Sequence, residues 1–484
     1  MPSDALPHTP DRKRGLRALF DRLAPVRDRW IDRNRYFYRV DHRFMRFLVA
    51  PGQKVLDLGC GTGRLLAALE PSEGVGVDLS PAMIAEARSR PGPLDFLVGD
   101  MEDPAVIDAL AARGPFDVIV LSDTLGFLDD CQAALERLQA LSGPHTRIIV
   151  AHYSHLWEPV LKLGTALGAR MPSGQVNWLS SAEIVNLLAL GGFEPIKREW
   201  RTLVPRRLLG LGSLVNRFLA PLPLIRLLCL RHYVVARSRD LQRPRALSCS
   251  VVVPARNERG NIEAAVQRLP QFAPDQEIVF VEGHSSDGTW DEILRVQAAY
   301  PDHKITCLQQ PGRGKGDAVR AAFDAASGDV LVILDADLTV PPEDIPKFHR
   351  LIERGQADFV NGTRFVYPME REAMRFLNYW ANRVFATIFS YLLNQSFTDT
   401  LCGTKVLTAS AYRRIAANRA YFGDFDPFGD FDLIFGAAKL NLKIVEVPVR
   451  YAARSYGSTQ ISRFRHGWLL LRMVVFAFRK LKAL

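Results

Sequence analysis

Residues Val330-Leu331-Val332-Ile333-Leu334-Asp335-Ala336-Asp337-Leu338 constrain the fold more than any other stretch. A short apolar run reads as a strand buried on both faces, and such strands belong to sheets covered by helices. The acids at its far end put charge at the carboxyl edge of the sheet, where open α/β folds bind ligands. Side chains at i and i+2 of a strand point the same way, so Asp335 and Asp337 are expected to share a face. Two hard oxygen donors there suit Mg²⁺ or Mn²⁺ carrying a diphosphate.

At 484 residues the chain exceeds one ordinary core, and more than one domain is expected. A net charge of +10, with arginine-rich helical stretches near both ends, calls for an anionic partner: a phosphate-bearing ligand or a membrane surface. No nucleic-acid motif accompanies the charge, so no nucleic-acid partner is expected. Six cysteines without Cys-x-x-Cys spacing argue against a disulfide framework or zinc site and for a reducing compartment. With no signal-peptide apolar region at the start, the expected location is cytoplasmic, peripheral on the inner membrane face.

Residues 1–10 are polar and proline-marked, and are expected to be disordered. From Arg14 to Leu48 apolar residues recur near helical spacing with arginines between them, which predicts amphipathic helices broken near Pro25 and a helical cap over residues 1–49. Next, Val55-Leu56-Asp57-Leu58-Gly59-Cys60-Gly61-Thr62-Gly63 reads as a strand entering a glycine turn, followed by a helix from Arg64. Such a turn brings backbone N–H groups beneath a ligand. Asp57 stands where a pyrophosphate would be repelled and a cationic ligand welcomed. A second strand ends at Asp78, placed for ribose hydroxyls, a third at Asp100 and Met101, and a fourth near Asp123.

Over residues 50–238 this series resembles the class I S-adenosylmethionine-dependent methyltransferases. The resemblance implies a doubly wound sheet with S-adenosyl-L-methionine as cofactor. It gives Asp57, Gly59, Gly61 and Gly63 the methionine end, Asp78 the ribose, and Asp100 with Met101 the adenine. His152 and His155 follow the fifth strand near the expected methyl acceptor, as structural histidines or a base. The apolar stretch Leu203 to Leu230 is interrupted by Arg217, Pro221, Pro223 and Arg226 and is too broken to span a bilayer. A lid over the acceptor and a membrane-facing hairpin are both open readings of it. Residues 239–246 have linker character.

A second series begins with a strand into Pro254-Ala255-Arg256-Asn257-Glu258. Another strand ends in Glu282-Gly283-His284-Ser285-Ser286-Asp287, then Gly312-Arg313-Gly314-Lys315 opens a helix ahead of the Asp335 strand. Over residues 247–465 the order resembles family 2 glycosyltransferases of the GT-A fold, in the branch of dolichol-phosphate mannosyltransferase and polyprenyl-phosphate glycosyltransferases. The resemblance implies a nucleotide-sugar donor bound by Pro254, Ala255, Glu258, Glu282 and Asp287, with Lys315 reaching a phosphate and Asp335 and Asp337 holding the metal. Arg364 ends a matching strand, Asp432 or Asp430 takes the position of a base, and Arg454 with Gly457 matches a phosphate clamp. Two positions depart from the family: Glu282-Gly283 replaces paired aspartates, and Gln460 replaces the lysine of the clamp. A hydroxyl acceptor would need a base, whereas a polyprenyl phosphate is already ionised. Between these motifs, Leu377, Trp380, Val384, Ile388 and Leu392 form a helical stripe expected to face a core or interface. Residues 466–484 form a basic amphipathic helix suited to a lipid interface or to docking on the domain.

The sequence thus predicts two α/β, Rossmann-like domains and a bifunctional enzyme. The second domain would transfer a sugar, with inversion and a metal, to a polyprenyl-phosphate or glycan acceptor. The first would methylate the same or a related glycan. The alternatives are a glycosyltransferase whose first domain only binds S-adenosylmethionine or serves as a scaffold, and a pair of activities on a soluble acceptor.

Overall fold

The computed structural model describes residues 10–174, 176–242, 245–367, 376–423, 429, 431–452, 454, 456 and 463–483. The proline-marked N-terminus up to residue 9, Asp430, Gly457 and Gln460 lie outside them. The chain divides after Leu241 into two compact units.

The first unit is built on β1 (Lys54–Leu58), β2 (Glu73–Asp78), β3 (Leu94–Val98), β4 (Phe116–Ser122), β5 (Ser142–Tyr153), β6 (Phe193–Arg201) and β7 (Arg231–Ser238). They lie in the order β3-β2-β1-β4-β5-β7-β6, with β7 antiparallel to both neighbours. Strand order reverses between β1 and β4, so the ligand crevice opens at their carboxyl ends. Leu56, Leu58, Ile119, Leu121, Ile148 and Val150 fill the sheet interior. Two helices precede the sheet, α1 (Pro10–Arg33) and α2 (Arg35–Leu48). The break expected near Pro25 falls instead at Asn34, and Pro25 sits inside α1. Anchors on either side outweigh the missing backbone bond. Asp21 accepts from Ser80 Oγ at 2.5 Å and from the Ala82 N–H at 3.2 Å, and Asp28 accepts from Thr62 Oγ1 at 2.7 Å.

Strand β6 is the element whose pattern hides it, because Lys197, Glu199 and Arg201 alternate along it and all three are buried. The aromatic rings of α2 cover the cations: Lys197 lies 5.7 Å from the Phe47 ring centroid and Arg201 4.2 Å from that of Phe44. Arg231, the first residue of β7, is fully buried and ties α2, β4 and β7 together. Its Nε donates to Asp41 at 2.8 Å, Nη2 to Ser122 Oγ at 2.8 Å, and Nη1 pairs with Asp123.

The second unit comprises β8 (Cys249–Ala255), β9 (Gln276–Glu282), β10 (Lys304–Gln309), β11 (Val330–Ile333), β12 (Phe359–Thr363), β13 (Lys405–Thr408) and β14 (Ile444–Pro448). Their order is β10-β9-β8-β11-β13-β12-β14, with β13 antiparallel to β11 and β12. Val251, Val253, Phe280, Val330, Val332 and Phe348 form its core. The shared strand face expected for Asp335 and Asp337 is not formed. Strand β11 stops at Ile333, and the two acids lie in the turn beyond it, closed by the Leu338 N–H on the Asp335 carbonyl at 3.1 Å.

The helix Phe376–Leu393 also differs from its expected facing: Trp380 and Val384 are exposed, while Ala386, Phe389, Leu392 and Leu393 are buried. The Asn382 amide, donating to Asp399 at 3.0 Å, turns that helix. The helix Arg463–Ala477 buries Leu470, Met473 and Ala477 and leaves Trp468 and Val475 outside. Among the described residues, no helix is long and apolar enough to cross a membrane.

Removing Asp41 strands part of a buried guanidinium. Asp41→Ala is expected to lower the unfolding free energy by about 3 kcal/mol in urea titrations; a loss under about 1 kcal/mol would show that Asp123 and Ser122 suffice.

Candidate functional site

The crevice of the first unit starts from Asp57, near the end of β1. Asp57 is buried, and its Oδ1 has no hydrogen-bond partner. Burial and the Asp78 charge push its carboxyl up to about 7, against the pull of Arg27. Beyond it Gly59, Gly61 and Gly63 all have positive φ, at 83°, 54° and 71°. A Cβ on Gly61 would also lie 2.8 Å from Arg27 Nε, so this position needs glycine twice over. Arg27 comes from α1, and its Nε is itself buried without a hydrogen-bond partner.

Asp78 accepts from the Gly61 and Ser80 N–H groups at 2.8 and 3.0 Å, and burial raises its pKa. Asp100 accepts from the Glu102 N–H at 3.0 Å and pairs with Lys13 of α1. Gly59, Gly61, Asp78, Asp100 and Met101 surround a cavity of about 380 Å³. Asp57 and Gly63 do not line it, and Gly63 backs onto the Phe96 ring.

The opposite wall of the cavity is made by residues that motif reading passed over: Arg27, Trp30 and Tyr38 from α1 and α2, with Tyr153 and Arg170. Their signal was present in Phe20, Arg27 and Trp30, which share one face of α1 at helical spacing. Neither His152 nor His155 borders this cavity. His152 faces a side cavity of about 60 Å³, held between the Tyr153 carbonyl at 3.1 Å and Ser181 Oγ at 3.2 Å. Burial and the neighbouring His232 push it down to about 3.

In the second unit the carboxyl ends of β8, β9 and β11 meet. Pro254 and Ala255 end β8, with Ala255 in register with Glu282 of β9. Glu282 accepts from the Ser285 N–H. Asp287 accepts from the Thr289 and Arg259 N–H groups at 3.1 and 3.2 Å, shaping the loop. Asp337 Oδ1 takes Thr339 Oγ1 at 2.8 Å, while its Oδ2 lies 2.6 Å from Arg454, which is also 3.9 Å from Glu258. Asp335 pairs with Lys315 at 2.8 Å. Burial works to raise the Asp335 pKa, but the Lys315 charge, helped by Lys405 and Arg364, brings it below the ordinary range. Gly403 closes over this pair: a Cβ there would lie 1.8 Å from Asp335 Oδ2.

Two expected site residues are engaged elsewhere. Arg364 grips Asp399 with both arms of its fork, at 2.6 and 2.9 Å, and Asp432 is buried against Arg419 at 2.8 Å. Among the described residues, no group of three or more His, Cys, Asp or Glu is assembled for a metal. Two carboxylates remain a sufficient protein share for a cation whose other ligands are diphosphate oxygens and water.

The chain matches a methyltransferase domain over residues 10–198 and the glycosyl transferase family 2 over residues 250–419. It therefore carries two transferase domains in series, a methyltransferase followed by a family 2 glycosyltransferase. Within the second, it is 38% identical over 122 residues to dolichol-phosphate mannosyltransferase of Pyrococcus furiosus, covering 25% of this chain and 34% of that protein. It is 28% identical over 224 residues to the undecaprenyl-phosphate 4-deoxy-4-formamido-L-arabinose transferase of Yersinia pestis, covering 45% of this chain and 63% of that one. Among solved structures, a Thermotoga maritima S-adenosylmethionine-dependent methyltransferase aligns at 20% identity with a TM-score of 0.35, over 45% of this chain and 98% of that one. Glucosyl-3-phosphoglycerate synthase of Mycobacterium tuberculosis aligns at 16% identity with a TM-score of 0.36, over 49% and 80%.

Lys315→Ala removes the nearest counter-charge of Asp335, so the Asp335 carboxyl should titrate at higher pH than in the parent, read by carbon-detected NMR of the side chain. An unchanged titration would assign its charge to Lys405 and Arg364 instead.

Proposed function

We propose that the first unit is an S-adenosylmethionine-dependent methyltransferase and the second a metal-dependent, inverting glycosyltransferase acting on a polyprenyl phosphate or a glycan. On this reading the first domain methylates the glycan that the second extends. The observation that carries the first half is a buried pair of opposite charges at the glycine turn: Asp57 Oδ1 and Arg27 Nε each lack a hydrogen-bond partner. An unpartnered buried carboxylate is costly and suits an ammonium, while an unpartnered guanidinium N–H suits a carboxylate. A zwitterionic amino-acid end supplies both. Asp78 retains lone pairs for ribose hydroxyls, and Met101 offers an apolar face to a base. The cofactor, when bound, supplies an electrophilic methyl group. The chain's part is to hold it and align an acceptor in the same cavity.

For the second half, the carboxylate pair already attracts cations, Lys315 on Asp335 and Arg454 on Asp337. Its donor set fits Mg²⁺ or Mn²⁺ arriving with a nucleoside diphosphate. A bound metal would neutralise charge on the leaving diphosphate. Lys315 and Arg454 stand within reach of the same phosphates. The commitment of Asp432 to Arg419 favours an acceptor that arrives ionised, as a polyprenyl phosphate does. Both curated relatives carry a polyprenyl-type phosphate acceptor in their names.

Calorimetry with two probes tests the first half. S-adenosylhomocysteine carries the amino-acid end and 5′-methylthioadenosine does not. Arg27→Ala should weaken the former about tenfold and leave the latter unchanged; equal losses for both would remove Arg27 from ligand recognition. Because a raised folded pKa means the empty site holds a proton on Asp57 below about 7, S-adenosylhomocysteine should bind more tightly as pH rises from 6 to 8, levelling above 7. In Asp57→Asn that rise should vanish. The same raised pKa makes Asp57 a stabilising group at low pH, its contribution falling as pH climbs from the ordinary carboxylate range to about 7.

For the second half, the measurement is nucleoside diphosphate release from UDP- and GDP-sugars with Mg²⁺ or Mn²⁺. Stimulation by a short polyprenyl phosphate, abolished in Asp337→Asn, is the expected result. Turnover unaffected by the substitution would refute the metal site, and lack of stimulation would point to a soluble acceptor.

A further inference from the structure

One surface of the first unit contradicts the rule that large apolar side chains leave water. The helix Glu158–Ala166 buries none of its residues, and Leu156, Val160, Leu163 and Leu167 all stand exposed along it and its flanks. The segment 206–228 behaves the same way. Leu208, Leu209, Leu211, Leu214, Leu224 and Leu228 are exposed, Leu209 at 109% and Leu224 at 82%. Scattered exposed leucines are ordinary, but a run this dense marks an interaction surface.

The two stretches are joined. Trp157 Nε1 donates to the Leu228 carbonyl at 2.8 Å, and the Ser154 N–H to the Leu230 carbonyl at 2.9 Å. The base of the segment is built rather than loose. The Asn216 side chain accepts from the Leu203 and Val204 N–H groups at 2.8 and 2.9 Å and donates to Tyr36 Oη at 3.0 Å. Both stretches also reach the wall of the large cavity: Trp157, Val160 and Leu161 from one, and Arg206 from the other, with Pro205 and Leu230 just outside its two ends.

Charge selects the occupant. Between residues 206 and 228 there are four arginines and no acid, and Arg206, Arg207 and Arg217 are exposed among the leucines. The neighbouring helix adds one acid, Glu158, and that is paired with its own Lys162 at 2.6 Å, so a second copy docked two-fold on this patch would set arginine against arginine with no uncommitted carboxylate to separate them. Leucines to bury and cations to meet phosphates are what an anionic bilayer surface accepts, with the apolar groups inserted at headgroup depth.

We infer that residues 206–228 and the outer face of the helix Glu158–Ala166 form a membrane-docking surface for anionic phospholipid, which sets the mouth of the methyltransferase cavity against the bilayer. It follows that the methyl acceptor is lipid-linked and approaches from the membrane. This deepens the methyltransferase reading above and rests on it for the nature of the cavity, though not for the docking itself.

Flotation of the full chain with large unilamellar vesicles tests it. Vesicles of phosphatidylglycerol mixed with phosphatidylcholine should carry the protein up the gradient, and vesicles of phosphatidylcholine alone should carry much less. Leu209→Asp combined with Leu224→Asp, and separately Arg207→Glu combined with Arg217→Glu, should each lower partitioning about tenfold. None of these four residues lines the cavity. Affinity for S-adenosylhomocysteine should therefore be unchanged in both variants, which also shows that they fold. Full flotation of both variants would assign membrane binding to another surface and overturn the proposal. So would absence of wild-type flotation, including the case where light scattering finds a dimer that the leucine variant dissolves. Failure to bind S-adenosylhomocysteine with flotation intact would instead overturn the methyltransferase reading and leave the docking surface standing.

Discussion

A carboxylate taken out of water must be met by a cation or by hydrogen-bond donors, and both units are arranged around that requirement. In the second unit Asp335 has Lys315, Asp337 has Arg454 and Asp399 has the fork of Arg364. In the first, Arg231 serves Asp41 and Asp123, whereas Asp57 feels the charge of Arg27 and keeps one oxygen without a hydrogen-bond partner. The pairs of Arg231 join α2 to the sheet, those of Asp335 and Asp337 are made beyond the end of a strand, and the unpartnered oxygen of Asp57 is left at the glycine turn.

By composition the N-terminal helices are arginine-rich and amphipathic, which predicts a helical cap on the first domain ahead of a membrane-surface segment. In the fold α1 runs across the carboxyl edge of the sheet, tied by Lys13 to Asp100, by Asp21 to Ser80 and by Asp28 to Thr62. Helix α1 thereby becomes one wall of the cavity. Arg27 is drawn in against the glycine turn rather than left as a solvated charge, because Gly61 leaves room for it.

The strand-and-turn motifs were legible because their chemistry is local. A glycine turn requires positive φ, and an apolar run ending in acids can lie only at a sheet edge. Other features were hidden by partners far away in sequence. Strand β6 reads as polar until the rings of Phe44 and Phe47 are placed over its cations. The facing of the helix Phe376–Leu393 follows from one amide, Asn382, reaching Asp399, a bond that no hydrophobic stripe reveals. Arg364 looked like a ligand-binding cation at a strand end, and its use on Asp399 depends on a turn some 35 residues on.

The sequence by itself determined two α/β domains, the carboxyl edge at which each opens, and the acids and glycines placed there. Hydrophobic runs, glycine turns and strand-end carboxylates are properties of neighbouring residues. Only the tertiary structure decided which of those acids are neutralised within the protein and which keep an oxygen without a partner. It also decided which wall closes the first cavity and which leucines stay in water. Pairing and burial depend on what the rest of the chain brings within a few ångströms, and that distance is set by the fold.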